Sequence, residues 1–203
     1  RSSDLVVEVV SHGFKEVVLT GVNMGRYQHE DTNFEQLVEN ILDIDGDFRL
    51  RVSSIEPDQF SDRFLALFQH EKLAPHMHIC LQSGSDDTLK RMNRHYTAAQ
   101  FREMCQRIKT ARPDFNFTTD IIVGFPGETE TTFQESCDFA REIGFSHIHT
   151  FKYSKRTGTK AAAMPDQVPE KVKAERSVVM RKISSENKTK YFESLQGKTQ
   201  RML

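Results

Sequence analysis

Apolar and polar side chains alternate with a period of two in five short runs: EVVLTGVN, RLRVSSIEP, HMHICLQSGS, FTTDIIVGFPGE and HIHTFKYS. Each run is rich in β-branched residues and passes into a polar or glycine-containing turn, so each predicts a strand. Between them the apolar period lengthens to about 3.6, the helical value. Phe60, Phe64, Leu67 and Phe68 form one stripe, Phe101, Met104, Cys105, Ile108 and Ala111 a second, and Phe133, Cys137, Ala140 and Ile143 a third. A further helix is predicted at the start of the chain, from Asp4 to Ser11. Ser85, followed by Asp86 and Asp87, reads as a helix start with a capping hydroxyl and acids in the first turn. Strict β-then-α alternation implies an α/β fold of parallel strands joined by helical crossovers, either an open doubly wound sheet or a barrel.

The strand faces choose between these. In HMHICLQ, Met77, Ile79 and Leu81 share one face, and His76, His78, Cys80 and Gln82 the other. Leu50 and Val52 oppose Arg51 and Ser53, Asp120 stands opposite Ile121, and His149 alternates with Ile148. A doubly wound sheet is apolar on both faces. One polar face fits a curved, incompletely closed barrel whose lumen holds a large ligand. Five strands are too few for a closed eight-stranded barrel. A helix that opens a βα series normally follows a strand, so the chain is expected to be cut from a longer protein with at least one strand upstream.

Composition adds that 203 residues, 37% hydrophobic and 28% charged, make one large globular domain. No apolar run reaches membrane-spanning length and the first residues lack a secretory pattern, so a cytoplasmic protein with no membrane partner is expected. Cys80, Cys105 and Cys137 are odd in number and widely spaced, which fits reduced, buried thiols and neither a disulfide framework nor a CxxC metal site. The net charge of −1 conceals an asymmetry. Residues 1–151 carry 15 Lys and Arg against 24 Asp and Glu (−9), and residues 152–203 carry 13 against 5 (+8). Such a basic tail is either a solvated helix face or a nucleic-acid contact. Val172, Val179, Ile183, Tyr191 and Leu195 predict that its helix packs one side on the body.

In parallel βα folds the ligand site forms at the carboxyl ends of the strands. Those ends carry Thr20, Gly21 and Asn23; Ser53, Ser54 and Glu56; Gln82, Ser83 and Ser85; Gly124 to Glu128; and Lys152 with Tyr153. Hydroxyls, amides and glycines suit hydrogen bonding to a ribose, an amino acid group or a nucleobase better than they suit hydrolysis. Two alternatives stand beside this. His76-x-His78 and His147-x-His149 have the spacing of metal-binding pairs, as in a metal-dependent barrel hydrolase, although both pairs begin their strands and so lie at the amino-terminal rim. GFPGE has glycines before a helix, as a phosphate cradle has, although its acid opposes an anion and its spacing matches no nucleotide fingerprint.

Taken together, GFPGET after a strand bearing Asp120, HICLQSGSDDTLKRMNRHYT before it, LTGVNMG early and YSKRTGTKAA late resemble the radical S-adenosylmethionine (SAM) methylthiotransferases over essentially the whole chain. LRVSSIEP and FKYSKRTGTKAAAMPDQVPEKVKAERS look most like the branch that acts on N6-threonylcarbamoyladenosine in tRNA. The branches acting on isopentenyladenosine or on a ribosomal protein are less similar there.

The resemblance implies a partial (β/α)6 TIM-like radical SAM barrel over residues 1–195, truncated at its first strand and lacking the CxxxCxxC loop. The start of a TRAM-like RNA-binding β-domain would follow at 196–203. It implies SAM as cofactor and, in the full-length enzyme, two [4Fe-4S] clusters with ligands outside this sequence; none of the three cysteines matches one. Thr20, Gly21 and Asn23 would hold the amino acid end of SAM, and Ser53, Ser54 and Glu56 end the next strand of the site. Gln82 and Ser83 would meet the ribose; Ile122, Gly124, Phe125, Pro126 and Gly127 would frame adenine and methionyl; Tyr153 would close the last strand. The complete enzyme would use an electron donor to cleave SAM to a 5′-deoxyadenosyl radical, remove hydrogen from C2 of the modified adenine and insert a methylthio group. The fragment alone is expected to be inactive. The implied partner is tRNA, with phosphate contacts from Lys155, Arg156, Lys160 and Arg181. A non-catalytic SAM- or RNA-binding scaffold is the alternative from another class.

Overall fold

The computed structural model describes residues 2–21, 24–55, 57 and 61–199. In chain order these form α1 (Ser2–Ser11), β1 (Glu16–Leu19), β2 (Gln28–His29), β3 (Thr32–Asn33), α2 (Phe34–Leu42), β4 (Arg49–Val52), β5 (Ser54–Ile55) and α3 (Asp62–Leu67). There follow β6 (His76–Ile79), α4 (Asp86–Arg91), α5 (Ala98–Ala111), β7 (Asn116–Val123), α6 (Glu130–Ile143), β8 (His147–Lys152), α7 (Lys160–Ala163) and α8 (Glu170–Leu195). All five predicted strand runs contain a strand, and the first helix begins two residues earlier than its pattern predicts. The ribbon of β2 and β3 was not foreseen, being only two residues long on each side. Phe60, and residues 200–203 of the expected RNA-binding domain, lie outside the described residues. No helix among the described residues is long and apolar enough to cross a membrane. The chain divides into two compact units, Arg1–Ile79 with Met104–Asn116 and Thr199–Leu203, and Cys80–Glu103 with Phe117–Lys198.

In the first unit β1 and β4 run parallel from Glu16↔Arg49 to Leu19↔Val52, and β5 pairs parallel with β6. Burial alternates along β4 and β6 as the period of two requires. Leu50, Val52, Met77 and Ile79 are sealed in the core. The other face carries Glu16, which accepts two hydrogen bonds from Arg51 at 3.2 and 3.3 Å, beside His76. Helix α2 starts at a reciprocal cap: Asn33 Oδ1 accepts from the Gln36 N–H and Gln36 Oε1 accepts from the Asn33 N–H. Its apolar stripe meets α3 through Phe34 and Phe64, and an edge-on series continues to Phe68 and Phe115.

In the second unit β7 and β8 run parallel over six pairs, Thr118↔His147 to Val123↔Lys152. Phe117, Thr119, Ile121 and Val123 are buried on one face of β7, while Thr118, Asp120 and Ile122 are half-buried on the other. Phe101 of α5 packs edge-on against Phe139 and Phe145. Helix α6 opens on a reciprocal Thr129–Thr132 cap and closes at Gly144, whose φ of 72° only glycine adopts readily. Helix α8 departs from expectation. Its buried face is Lys173, Arg176, Ser177, Met180, Ile183, Ser184 and Asn187; of the predicted apolar set only Ile183 is buried, and Val179 is exposed. Beside Met180 and Ile183 the helix meets polar backbone: Asn187 Nδ2 donates to Ala140 O at 2.8 Å and Ser184 Oγ accepts from the Ile148 N–H at 2.9 Å.

The turn after β7 is fastened by one carboxylate. Glu128 is almost fully buried and accepts from the Gly124 N–H at 2.7 Å and from Arg176 Nη1 at 2.8 Å. Arg176 Nη1 also donates to Glu128 O. Burial pushes the Glu128 carboxyl up from its ordinary range, while the Gly124 amide and the Arg176 guanidinium pull it back toward the charged form.

Breaking such a buried pair strands a charge. Arg176→Met and Glu128→Gln are each expected to cost about 3 kcal/mol in urea unfolding, and the double variant clearly less than the sum. Additive losses would deny the coupling. A second expectation concerns acid. Burial, aided by Arg51 and His78, pushes His76 down to about 4 from 6.5, so the folded chain refuses a proton that the unfolded chain accepts. Stability is therefore complete above pH 6.5 and falls between pH 6.5 and 4, by about 2 kcal/mol given the partial exposure of the ring. His76→Gln should flatten that part of the pH profile; an unchanged slope would place the titrating group elsewhere.

Candidate functional site

Within the second unit, a cleft of about 580 Å³ opens at the carboxyl ends of β7 and β8. Gln82, Asp120, Ile122, Phe125, Tyr153, Arg156 and Thr159 are among its walls. Each is held there by backbone. Gln82 is threaded against β7, its N–H donating to Asp120 O at 2.8 Å and its carbonyl accepting from the Ile122 N–H at 2.9 Å. It takes a φ of 67°, a left-handed conformation that costs a non-glycine residue about 1–2 kcal/mol. The predicted HMHICLQ strand ends at Ile79, and Tyr96 Oη, donating to Cys80 O and Leu81 O, secures the departing chain. The Tyr153 N–H donates to Val123 O at 2.9 Å, carrying the β7–β8 ladder into the cleft wall. Its ring lies edge-on to Phe125 at 5.3 Å and under Lys173 Nζ at 5.4 Å. Tyr153 Oη is buried and has no hydrogen-bond partner among the described residues. An orphaned hydroxyl costs about 1–3 kcal/mol unless a ligand satisfies it.

The glycine turn beside the cleft is filled by the protein itself. Gly124 and Gly127 have φ of 72° and 83°, and a Cβ would stand 2.3 Å from Lys173 Cγ and 2.1 Å from Arg91 Nη1 respectively. The Gly124 N–H is given to Glu128 and the Gly127 N–H to Asp166 O. With both amides engaged and the Glu128 carboxylate on one of them, the turn is no phosphate cradle. Phe125 alone of the turn lines the cleft; Pro126 is buried behind it.

Other strand-end residues have different surroundings. Ser83 is fully buried, its hydroxyl 3.0 Å from Ser136 Oγ and accepting from the Ser85 N–H. Ser85 does not cap α4 with its side chain; its hydroxyl donates to Glu135 at 2.5 Å, because α6 offers a charged acceptor close by. In the first unit Thr20 and Gly21 are exposed and Ser53 and Ser54 half-buried, with the Ser53 N–H donating to Leu19 O so that the β1 and β4 ends adjoin. Asn23 and Glu56 lie outside the described residues. Asp120 was not singled out for the site from its sequence, yet it lines the cleft; its position two residues before Ile122, on the same strand face, is the signal.

The basic residues separate into two sets. Lys173 and Arg176 are buried and paired, Arg176 with buried Glu128 and exposed Glu130, Lys173 with exposed Glu170, so their charge is neutralised rather than offered outward. Lys155, Arg156, Lys160 and Arg181 are exposed. The thiols suit no iron–sulfur cluster, which takes thiolates. Burial pushes Cys105 up to about 12 and Cys137 up to about 11, and Cys80 Sγ lies 3.9 Å from Asp120 Oδ2. His76 and His147 are the first residues of β6 and β8, away from the strand ends that form the cleft.

Residues 3–140 match the family model described as the Radical SAM superfamily. Among curated proteins, threonylcarbamoyladenosine tRNA methylthiotransferase MtaB of Thermotoga maritima is 40% identical over 97% of this chain, and the Bacillus subtilis protein of the same name 46% over 83%. A tRNA-2-methylthio-N(6)-dimethylallyladenosine synthase of Caldicellulosiruptor saccharolyticus is 40% identical over 98%. The chain spans less than half of each of these relatives, 46%, 38% and 44% of their lengths. Among solved structures, coproporphyrinogen III oxidase from Escherichia coli, a radical SAM enzyme, superposes with a TM-score of 0.63 at 14% identity over 93% of this chain and 45% of its own. The archaeal Methanocaldococcus infernus Elp3 superposes at 0.57 and 12%, over 87% and 47%. These likenesses show a shared fold. With two thirds of its length inside the family model and its strand ends built into a ligand-sized cleft, the chain belongs to the radical SAM superfamily.

Proposed function

We propose that the chain is the SAM-holding core of a tRNA methylthiotransferase acting at C2 of N6-threonylcarbamoyladenosine beside the anticodon. The observation that carries the cofactor reading is the cleft, whose 580 Å³ suit a ligand of nucleoside-amino acid size and whose buried Tyr153 hydroxyl awaits a partner. Phe125 and Ile122 offer apolar faces to a purine, and Gln82 and the Asp120 carboxylate offer acceptors to hydroxyl and ammonium groups. SAM, when bound, supplies the methyl group and the radical chemistry. The protein's part is to hold it and exclude water. Both [4Fe-4S] clusters of the proposed enzyme would be held by cysteines beyond these 203 residues, since the three thiols present do not suit them. The sequence given would then be inactive by itself.

The substrate reading is supported by the names of relatives at 40% and 46% identity and by the resemblance of LRVSSIEP and the basic tail to that branch. Dimethylallyladenosine is the second reading, favoured by relatives at 40%. Nucleoside mass spectrometry of tRNA from a deletion strain separates the two. Loss of 2-methylthio-N6-threonylcarbamoyladenosine, restored by the full-length gene, is expected. Loss of the methylthio-dimethylallyl nucleoside instead would transfer the assignment, and an unchanged nucleoside profile would overturn both.

A further inference from the structure

Strand β8 pairs with β7 along one edge, and its other edge turns toward α8, where Ser184 accepts the Ile148 N–H. Beside that bond runs a groove of about 430 Å³, lined by His147, His149, Thr150, Phe151, Arg181 and Lys188 among others. Arg181 and Lys188 stand seven residues apart, two turns of one helix face, and neither has an acidic partner among the described residues. That distinguishes them from three other cations of the same helix, Lys173 paired with Glu170, Arg176 with Glu128 and Lys182 with Glu186. Thr150 Oγ1 is buried in the groove with no hydrogen-bond partner among the described residues, a second group left for a ligand to satisfy. Phe151 is half exposed and lines both this groove and the cofactor cleft.

Unneutralised cations, a donor hydroxyl and an exposed aromatic ring beside them are the elements of single-strand nucleic acid binding, in which phosphates are held by charge and bases by stacking. The volume holds about one nucleotide, where a bare phosphate would leave most of it unfilled. We propose that this groove seats a single-stranded segment of the RNA substrate, phosphate on Arg181 and Lys188 and base against Phe151, and leads it along β8 to the cofactor cleft. The inference deepens the tRNA reading above and rests on it for the identity of the RNA.

The test is fluorescence anisotropy of an unmodified tRNA anticodon stem-loop on the full-length protein over a series of salt concentrations. Arg181→Ala/Lys188→Ala is compared with Lys182→Ala/Lys190→Ala, which removes equal charge from the same helix at positions that do not line the groove. The groove double should weaken binding roughly tenfold and flatten the salt dependence by about one to two phosphate contacts, while the control stays within about twofold. Equal losses in both doubles, or no loss in the groove double while wild type binds, would overturn the groove alone. A wild type that binds no RNA would overturn the tRNA reading with it. A photocrosslinking residue in place of Ser185, which also lines the groove, should capture the RNA; capture of polypeptide instead would mean that protein covers the groove.

Discussion

The cleft depends on one buried carboxylate. Glu128 holds the Gly124 amide, and so the left-handed turn after β7, and through Arg176 it ties that turn to α8. Lys173, one helical turn before Arg176, then fills the space that a side chain at Gly124 would need and covers the Tyr153 ring. Phe125 therefore has a fixed place at the cleft, and Tyr153 has a neighbour against which to pack. A charge so deeply buried is costly unless it is paired and hydrogen-bonded. Here both conditions hold, with three hydrogen bonds, one from the Gly124 N–H and two from Arg176 Nη1, accepted by the side chain and backbone of Glu128.

Against this fixed turn the cleft keeps two features that the fold would not need for stability alone. Gln82 sits in a left-handed conformation between Asp120 and Ile122, and the Tyr153 hydroxyl is desolvated with no hydrogen-bond partner among the described residues. Strain and an unsatisfied polar atom in the lining of one cavity are what a binding site accumulates, since a ligand recovers there what the empty fold loses. The glycine turn does not play that part. The Gly124 amide is bonded to Glu128 and the Gly127 amide to Asp166 O, so the turn offers neither to an anion.

Much of this was legible from periodicity. Alternation of two found every strand longer than two residues, and the half-polar faces of β4, β6 and β7 follow directly from it. Gln82, Ile122, Phe125 and Tyr153, read from strand ends, line one cleft. What periodicity could not show was tertiary. Ser85 looks like a helix cap, yet a glutamate fifty residues away takes its proton bond. Helix α8 carries valines at helical spacing, but apart from Met180 and Ile183 its buried face is polar, because it meets β8 and the last turn of α6, where backbone groups need partners. The basic tail likewise reads as one block of charge, whereas folding buries two of its cations and leaves Arg181 and Lys188 to face outward.

The central claim is that the cleft between Gln82, Phe125 and Tyr153 holds SAM, and calorimetric titration of SAM into the full-length protein tests it most directly. Wild type should bind with one site, and Tyr153→Phe, which removes the orphaned hydroxyl and little else, should weaken binding about five- to tenfold with unfolding stability kept or raised. Unchanged affinity in Tyr153→Phe and in Phe125→Ala together would contradict the account, because the two residues form one wall of the cleft.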